Sequence, residues 1–260
     1  MFTDILDLGR LAFGCARLST LSKKISINIL EECIENKILH FDTAPSYGSE
    51  ELIGDILQGV ENVTITSKIG LPRVKSNKGF LKKTIKKSFK SLGNISPSLK
   101  NKIYSSINKK QTVQYEKRIL SMDEIMIDLE KTLTNINKSK LDILLIHEPD
   151  QFIIDDDLIE RFEKLKKEGL IANYGLGCNR PNFEMTKFGN VKQYLYDKND
   201  DNSCDSIKVV HGLIRASILK GNHGSQHSNF IKNFLLCNSG LTVLFSASKV
   251  SQIKESCSNI

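Results

Sequence analysis

Short apolar runs alternate along this sequence with longer segments in which apolar residues recur at helical spacing. Each apolar run has the length of a buried strand, and most of the segments between them can hold a helix. Regular alternation of strand and helix predicts a parallel sheet covered by helices. We therefore predict the α/β class and a (β/α)8 TIM barrel, with residues 1–260 forming a single domain. The predicted strands are Leu11–Cys15, Ile38–Asp42, Val63–Lys68, Asp142–His147, Ile171–Gly177, Val191–Tyr196, Ile207–Leu213 and Leu241–Phe245.

The segments between the strands carry recognisable helix signals. Ser121 followed by Glu124 has the pattern of a capping box, and Gly169 is placed to end a helix. These signals and the helical spacing set the predicted helix boundaries. The predicted helices are Ser26–Glu35, Glu50–Leu57, Met122–Ile136, Asp155–Lys167, Asn229–Leu236 and Val250–Ser256.

Two segments interrupt the alternation. Residues 71–120 are rich in Lys, Ser and Asn, so we predict a basic insertion after the third strand that covers one side of the barrel mouth. Only the polar run Asp197–Ser206 separates strands six and seven, which leaves room for at most a shortened sixth helix.

Three predicted strands end in chemically active side chains: Asp42, Lys68 and His147, with Tyr47 in the loop after Asp42. In a parallel barrel these strand ends face one mouth. A phenol has an ordinary pKa near ~10, and a buried ammonium beside it is expected to lower that value. Asp42 would keep Lys68 charged, and His147 would orient a carbonyl oxygen. The set predicts protonation of a carbonyl by Tyr47 while a nicotinamide cofactor supplies the hydride.

Composition argues against several other classes of protein. The net charge of +7 suits an anionic ligand without naming one. Six scattered cysteines without a CxxC pair predict reduced thiols and a cytoplasmic location. No signal peptide is evident, and no apolar run approaches the ~20 residues of a membrane helix, so we predict no membrane partner.

Metal and nucleic-acid sites are also disfavoured. His211, His223 and His227 form no recognisable metal-ligand spacing with carboxylates, so we predict no metal. The basic segment contains Phe and Tyr among its lysines but no recognised nucleic-acid module, which argues against a nucleic-acid partner.

Five runs, in order along nearly the whole chain, resemble the aldo-keto reductase family. They are FDTAPSYG (41–48), TSKIG (66–70), LDILLIHEP (141–149), GLIANYGLGCN (169–179) and LTVLFSASKVSQIKES (241–256). The resemblance implies that Asp42, Tyr47, Lys68 and His147 are the catalytic tetrad. It also implies NADP(H), bound without a Rossmann domain, with NAD(H) as the alternative cofactor.

The resemblance also points to cofactor contacts. Cys178 and Asn179 stand where the family usually has a Ser-Asn pair, and Gln193 resembles a glutamine of its sixth strand; both positions are expected near the nicotinamide carboxamide. After strand eight, the adenosine phosphate is expected near a second group of residues. That group is Ser246, Ser248, Lys249 and Gln252.

The leading hypothesis is an enzyme that interconverts an aldehyde, ketone or sugar and the corresponding alcohol. Two alternatives remain open: a catalytically weak regulatory protein that binds the cofactor on the same fold, and a barrel hydrolase that uses His147 with carboxylates. The sequence leaves the substrate, the oligomeric state, the role of the insertion and the physiological direction undetermined.

Overall fold

Eight parallel strands, hydrogen bonded in chain order, close into a barrel in which β8 pairs with β1. The protein is described by a computed structural model that covers residues 8–74, 116–180, 188–196, 206–222 and 226–258. The predicted parallel barrel is confirmed. Its strands are β1 Leu11–Gly14, β2 His40–Asp42, β3 Thr64–Ile69, β4 Leu141–His147, β5 Ile171–Gly177, β6 Val191–Leu195, β7 Ile207–His211 and β8 Leu241–Phe245.

Helices follow most of the strands and cover the outside of the barrel. In the described part of the chain they are α1 Lys23–Glu35, α2 Glu50–Leu57, α3 Met122–Asn135, α4 Asp156–Lys167, α5 Leu213–Leu219, α6 Gln226–Cys237 and α7 Val250–Cys257. Residues 75–115 of the predicted insertion and residues 197–205 of the predicted short sixth helix lie outside the described ranges.

The two faces of the strands are packed differently because side chains alternate along each strand. Outward-facing side chains and the inner faces of the helices form the largest apolar cluster, which contains Phe13, Phe41 and Phe162. A smaller cluster includes Leu145 and Val191, each two residues before a polar side chain of the same strand, His147 in β4 and Gln193 in β6. The barrel interior is thus apolar below and polar at the mouth.

Two element boundaries differ from the predicted ones for local reasons. Helix α1 begins at Lys23 rather than Ser26, because the Ser22 side chain accepts the backbone N–H of Ile25 as an N-cap. Strand β7 ends at His211, because Gly212 adopts the left-handed conformation at φ 87° and starts α5. The capping box of Ser121 and Glu124 is confirmed.

A buried carboxylate, Glu50, joins the start of α2 to α3. Its side chain accepts hydrogen bonds from Thr132 Oγ1 at 2.8 Å and Asn135 Nδ2 at 2.9 Å, and it forms an ion pair with Arg73. Arg73 also donates to the backbone oxygen of Asp128 at 3.0 Å. Partners on several sides compensate for removing this charge from water.

Five of the six cysteines lie within the described ranges. Cys15, Cys33, Cys178, Cys237 and Cys257 are free, and Cys204 lies outside the described ranges. None of the helices in the described ranges combines the length and the apolar character that crossing a membrane requires.

The crossing of α2 over the end of α3 depends on Gly54. A Cβ atom placed there would lie 2.3 Å from the carbonyl oxygen of Asn135 and 2.8 Å from the backbone of Ile136. Because the neighbouring atoms belong to backbone, they can move only if a helix moves.

We expect Gly54→Ala to lower the free energy of unfolding by about 1–3 kcal/mol, since overpacking outweighs the gain of up to ~1 kcal/mol in helix propensity. Denaturant titration measures this loss. Asp55→Ala, at an exposed position of the same helix, is the control and should change stability by no more than about 0.5 kcal/mol. A Gly54→Ala protein as stable as the unmutated chain would contradict the close crossing.

Candidate active site

The ends of β2, β3 and β4 bring three polar side chains to the mouth of the barrel: Asp42, Lys68 and His147. Tyr47 closes a short 3-10 turn over Pro45–Tyr47, and Gly48 at φ 66° turns the chain toward α2. The loop is held by a hydrogen bond from the backbone N–H of Thr43 to the Thr66 carbonyl at 2.8 Å. The four residues of the predicted catalytic set therefore meet at one end of the barrel.

A buried ion pair lies at the centre of this group. Lys68 Nζ is 2.6 Å from both carboxylate oxygens of Asp42, and each side chain is only 2 % exposed. Burial acts to lower the pKa of Lys68, but Asp42 and Tyr47 act against it and leave the pKa above its ordinary value. Lys68 is therefore a cation throughout the neutral range.

Tyr47 lies directly beside this cation. Its hydroxyl is 3.4 Å from Lys68 Nζ, which also lies 5.1 Å from the centre of the Tyr47 ring. Burial raises the pKa of Tyr47, and the opposing effect of Lys68 reduces this rise without reversing it. The predicted net lowering of this pKa is wrong, because the sequence argument included the neighbouring charge but left out burial. The resting side chain is a protonated phenol.

His147 faces Tyr47 across the mouth. The two rings meet edge to face, with 5.8 Å between their centroids and an interplanar angle of 90°. Burial, with a contribution from Lys68, lowers the pKa of His147 to about 4. The imidazole is therefore neutral at physiological pH and carries one N–H, which suits it to hydrogen bonding rather than to acid catalysis.

The residues expected near the nicotinamide carboxamide have protein partners. Gln193 Nε2 donates to Asp42 Oδ2 at 2.7 Å, and Asn179 Nδ2 donates to Glu148 Oε1 at 2.6 Å. Cys178 is buried next to them, and burial raises the pKa of its thiol to about 11. Gln193 is thus part of the polar group at the mouth, while Asn179 lies at its edge with Glu148.

The residues predicted after strand eight gather around the start of α7. The backbone N–H groups of Ser248 and Lys249 donate to Gln252 Oε1 at 2.8 Å and 3.2 Å. Gln252 therefore caps this helix, while Ser246 and Lys249 are exposed. Ser248, Lys249 and Gln252 are thus joined by hydrogen bonds after the end of β8, and Ser246 directly follows that strand.

His211 is a residue of the mouth that the sequence analysis considered only as a metal ligand. It ends β7, and its Nε2 donates to the carbonyl oxygen of Cys178 at 2.9 Å. Burial lowers its pKa, and the charges of Asp42 and Lys68 also act on it. The predicted strand continued to Leu213 and so hid the position of His211 at the strand end; Gly212, directly after it, is the residue that marks this end.

The chemistry of this group fits a cofactor that carries hydride. A phenol, an ammonium, a carboxylate and neutral imidazoles can hold or move protons and polarise a carbonyl, but none of them supplies a hydride. Within the described ranges, no group of three or more His, Cys, Asp or Glu side chains could hold a metal ion.

Comparison with known proteins identifies the family of this chain. The model of the aldo/keto reductase family matches residues 10–192. The chain is 25% identical over 201 residues to the uncharacterized oxidoreductase YqkF of Bacillus subtilis; the match covers 76% of this chain and 51% of YqkF. The chain thus spans about half the length of the curated relatives it matches.

Solved structures share the fold. The holo form of the aldo-keto reductase AKR11C1 from Bacillus halodurans matches with a TM-score of 0.66 and 19% identity, covering 97% of this chain and 87% of that one. The glycerol dehydrogenase AKR11B4 from Gluconobacter oxydans matches with a TM-score of 0.65 and 16% identity, at 97% and 87% coverage. With the family model matching well over half of its residues, this chain belongs to the aldo/keto reductase family of oxidoreductases.

Proposed function

We propose that the protein interconverts a small aldehyde, ketone or sugar and the corresponding alcohol, using NADP(H). The observation that carries this proposal is the placement of the Tyr47 hydroxyl 3.4 Å from a buried ammonium that Asp42 keeps charged. When bound, the cofactor supplies or accepts the hydride. The remaining work, which is proton transfer and polarisation of the carbonyl, falls to residues of this chain.

In the reductive direction, Tyr47 holds the proton that reaches the carbonyl oxygen. Negative charge develops on that oxygen as the carbonyl is reduced, and the Lys68 ammonium stabilises the phenolate that Tyr47 becomes. Asp42 keeps Lys68 charged inside the barrel. His147, neutral because its pKa is about 4, donates its N–H to the same oxygen and fixes its orientation.

The cofactor-binding residues are proposed on the same basis. Gln193, Cys178 and Asn179 lie at the mouth, where the nicotinamide must reach Tyr47. Ser246, Ser248, Lys249 and Gln252, around the start of α7, are proposed to contact the adenosine end of the cofactor. Lys249 is the cation of this group, so it is the residue proposed to bind the 2′-phosphate of NADP(H).

The proposal is tested by following oxidation of NADPH with a panel of aldehydes, ketones and sugars, and reduction of NADP⁺ with alcohols and polyols. Polyols belong in the panel because one structural neighbour is named a glycerol dehydrogenase. Turnover of a carbonyl or an alcohol supports the proposal. Tight cofactor binding without turnover of any compound would favour the regulatory binding protein instead.

Tyr47→Phe should reduce kcat at least about a hundredfold, because general acid–base catalysis contributes typically 10²–10⁴-fold and the variant lacks the transferable proton. The dissociation constant of NADPH should stay nearly unchanged, since the ring remains. Steady-state kinetics and a fluorescence titration measure the two quantities. Near-normal kcat in the variant would remove Tyr47 from the role of proton donor.

Lys68→Met should lower both stability and rate, because it leaves the Asp42 carboxylate buried without its cation. Breaking a buried pair in this way costs about 3–5 kcal/mol. A double-mutant cycle with Asp42→Asn measures the interaction, in unfolding and in kcat. Strictly additive effects in both measurements would mean that the two side chains act independently.

Cofactor preference depends on Lys249. A single charge-assisted contact to a phosphate is worth about 1.5–3 kcal/mol, so NADPH should bind about ten- to a hundredfold more tightly than NADH. Lys249→Ala should largely erase this ratio. Lys254→Ala is the matched control: it removes an equal charge from the same helix at a residue paired with Glu32. Equal affinities in the unmutated protein would contradict the assignment.

A further inference from the structure

Glu148 follows His147 directly at the end of β4, and its backbone lies in the left-handed region at φ 54° and ψ 65°. This region is uncommon for a residue that carries a Cβ atom. The backbone N–H of Glu148 donates to the carbonyl oxygen of Gly177 at 2.8 Å, and the buried Pro149 begins the next turn. These contacts keep Glu148 at the mouth, beside the imidazole that is proposed to bind the carbonyl oxygen.

The side chain of Glu148 runs along the edge of the mouth toward the end of β5. Its Oε1 accepts a hydrogen bond from Asn179 Nδ2 at 2.6 Å. Burial raises the pKa of Cys178 to about 11, and the charge of Glu148 adds to this rise. Burial lowers the pKa of His211, and the same charge opposes that shift. The carboxylate therefore contributes to the electrostatic potential inside the mouth.

The charge of Glu148 is not balanced by a neighbouring cation. Asp42 forms an ion pair with Lys68 inside the barrel, and Asp150 forms one with Arg180 at the rim. Glu148 has a neutral amide as its hydrogen-bond partner, and it belongs to none of the ion pairs formed among the described residues.

The other titratable groups of the mouth add no compensating charge at neutral pH. The lowered pKa values of His147 and His211 leave both imidazoles neutral, and the raised pKa of Tyr47 leaves its hydroxyl protonated. The described part of the mouth thus has a negative charge from Glu148 in excess of its ion pairs. A carboxylate on a substrate held beside Tyr47 and His147 would lie within a Debye length of about 8–10 Å, where like charges repel with little screening.

We propose that Glu148 is a specificity-determining residue that makes the site disfavour carbonyl compounds bearing a carboxylate, relative to neutral and cationic ones. This inference rests on the proposed function and narrows its substrate class. Neutral hydroxylated aldehydes and sugars would be accepted, whereas oxo acids would be rejected. Glu148 acts through its charge and takes no part in the transfer of the proton or the hydride.

Glu148→Gln tests this role, because it removes the charge and keeps a side-chain oxygen that can accept from Asn179. With NADPH, kcat/KM is measured for succinic semialdehyde and for its amide, which has the same length and no charge. The unmutated protein should prefer the amide, and the substitution should reduce this preference about three- to tenfold. Glu31→Gln removes an equal charge at an exposed position of α1 and should leave the preference unchanged.

The substitution also distinguishes a charge effect from a structural one. If Glu148 mainly holds Asn179, Glu148→Gln should change kcat/KM for both aldehydes by the same factor, and this outcome would overturn the proposal. A quaternary ammonium aldehyde gives the opposite sign: its kcat/KM should fall in Glu148→Gln, because an attractive charge is lost. An unchanged or increased value for this cation would also overturn it.

Ionic strength provides a test that needs no variant. Raising the salt from about 0.01 M to about 1 M shortens the Debye length from about 30 Å to about 3 Å. The preference of the unmutated protein for the amide should therefore decrease with salt, and that of Glu148→Gln should decrease less. A preference that is independent of salt in the unmutated protein would contradict a role for this charge.

Binding of the corresponding alcohols tests the same charge without turnover. The hydroxy acid and its amide are titrated into the protein by NMR, with and without NADPH, which cannot reduce an alcohol. Glu148→Gln should strengthen binding of the hydroxy acid relative to the amide by about three- to tenfold. Equal relative affinities in the variant and the unmutated protein would overturn the proposal.

The two proposals can fail separately. An unmutated protein that turns over no carbonyl or alcohol would overturn the proposed function. A relative affinity for the two alcohols that depends on Glu148 would then still support selection against carboxylates at this mouth. Turnover with the same ratio of kcat/KM for the amide and the acid in both proteins would leave the proposed function standing and overturn the role of Glu148.

Discussion

The ion pair between Asp42 and Lys68 is the interaction on which the mouth of this barrel depends. Removing two charges from water costs several kcal/mol per ion, which only close geometry and further hydrogen bonds can offset. Here the distances are 2.6 Å to both oxygens, with further polar contacts to Gln193, Thr43 and Tyr47. The proposed catalytic group is therefore arranged around a charge pair that is stable only when both partners are present.

The topology of the barrel brings the partners of this ion pair together. Parallel strands bring the side chains at their ends to one mouth even when the residues are far apart in sequence. Below the polar layer, Leu145, Val191 and their neighbours fill the interior and keep the charges dry. Exclusion of water strengthens the attraction between the charges and raises the pKa of Tyr47, so that its hydroxyl stays protonated at neutral pH.

Features set by local sequence could be predicted. Strand ends follow from apolar runs and helix starts from caps, so the positions of Asp42, Lys68 and His147 and the capping box of Ser121 were found without coordinates. The run of residues 41–48 also predicted that Tyr47 lies in the loop after β2. The family relationship rests on the same local runs and is supported by the match of its model to residues 10–192.

Features set by distances across the fold could not be predicted. An amide side chain such as Gln193 or Gln252 has several suitable hydrogen-bond partners. Which of them it binds depends on atoms from other strands or from the next turn. The direction of the pKa shift of Tyr47 depends on burial, which many residues produce together. His211 was placed inside a longer strand because only the left-handed Gly212 reveals where that strand ends.

The hydrogen bonds of Glu50 relate the position of the site to the order in which the chain is synthesised. The helix that follows Tyr47 begins at Glu50, whose partners Thr132 and Asn135 lie on a helix synthesised much later. A nascent chain that has emerged only through β3 therefore contains Asp42, Tyr47 and Lys68, and the Thr43–Thr66 hydrogen bond that holds the loop, but it lacks the helix that anchors Glu50. Because domains fold largely as units, we expect Tyr47, the proposed proton donor, to acquire its final position only late in synthesis.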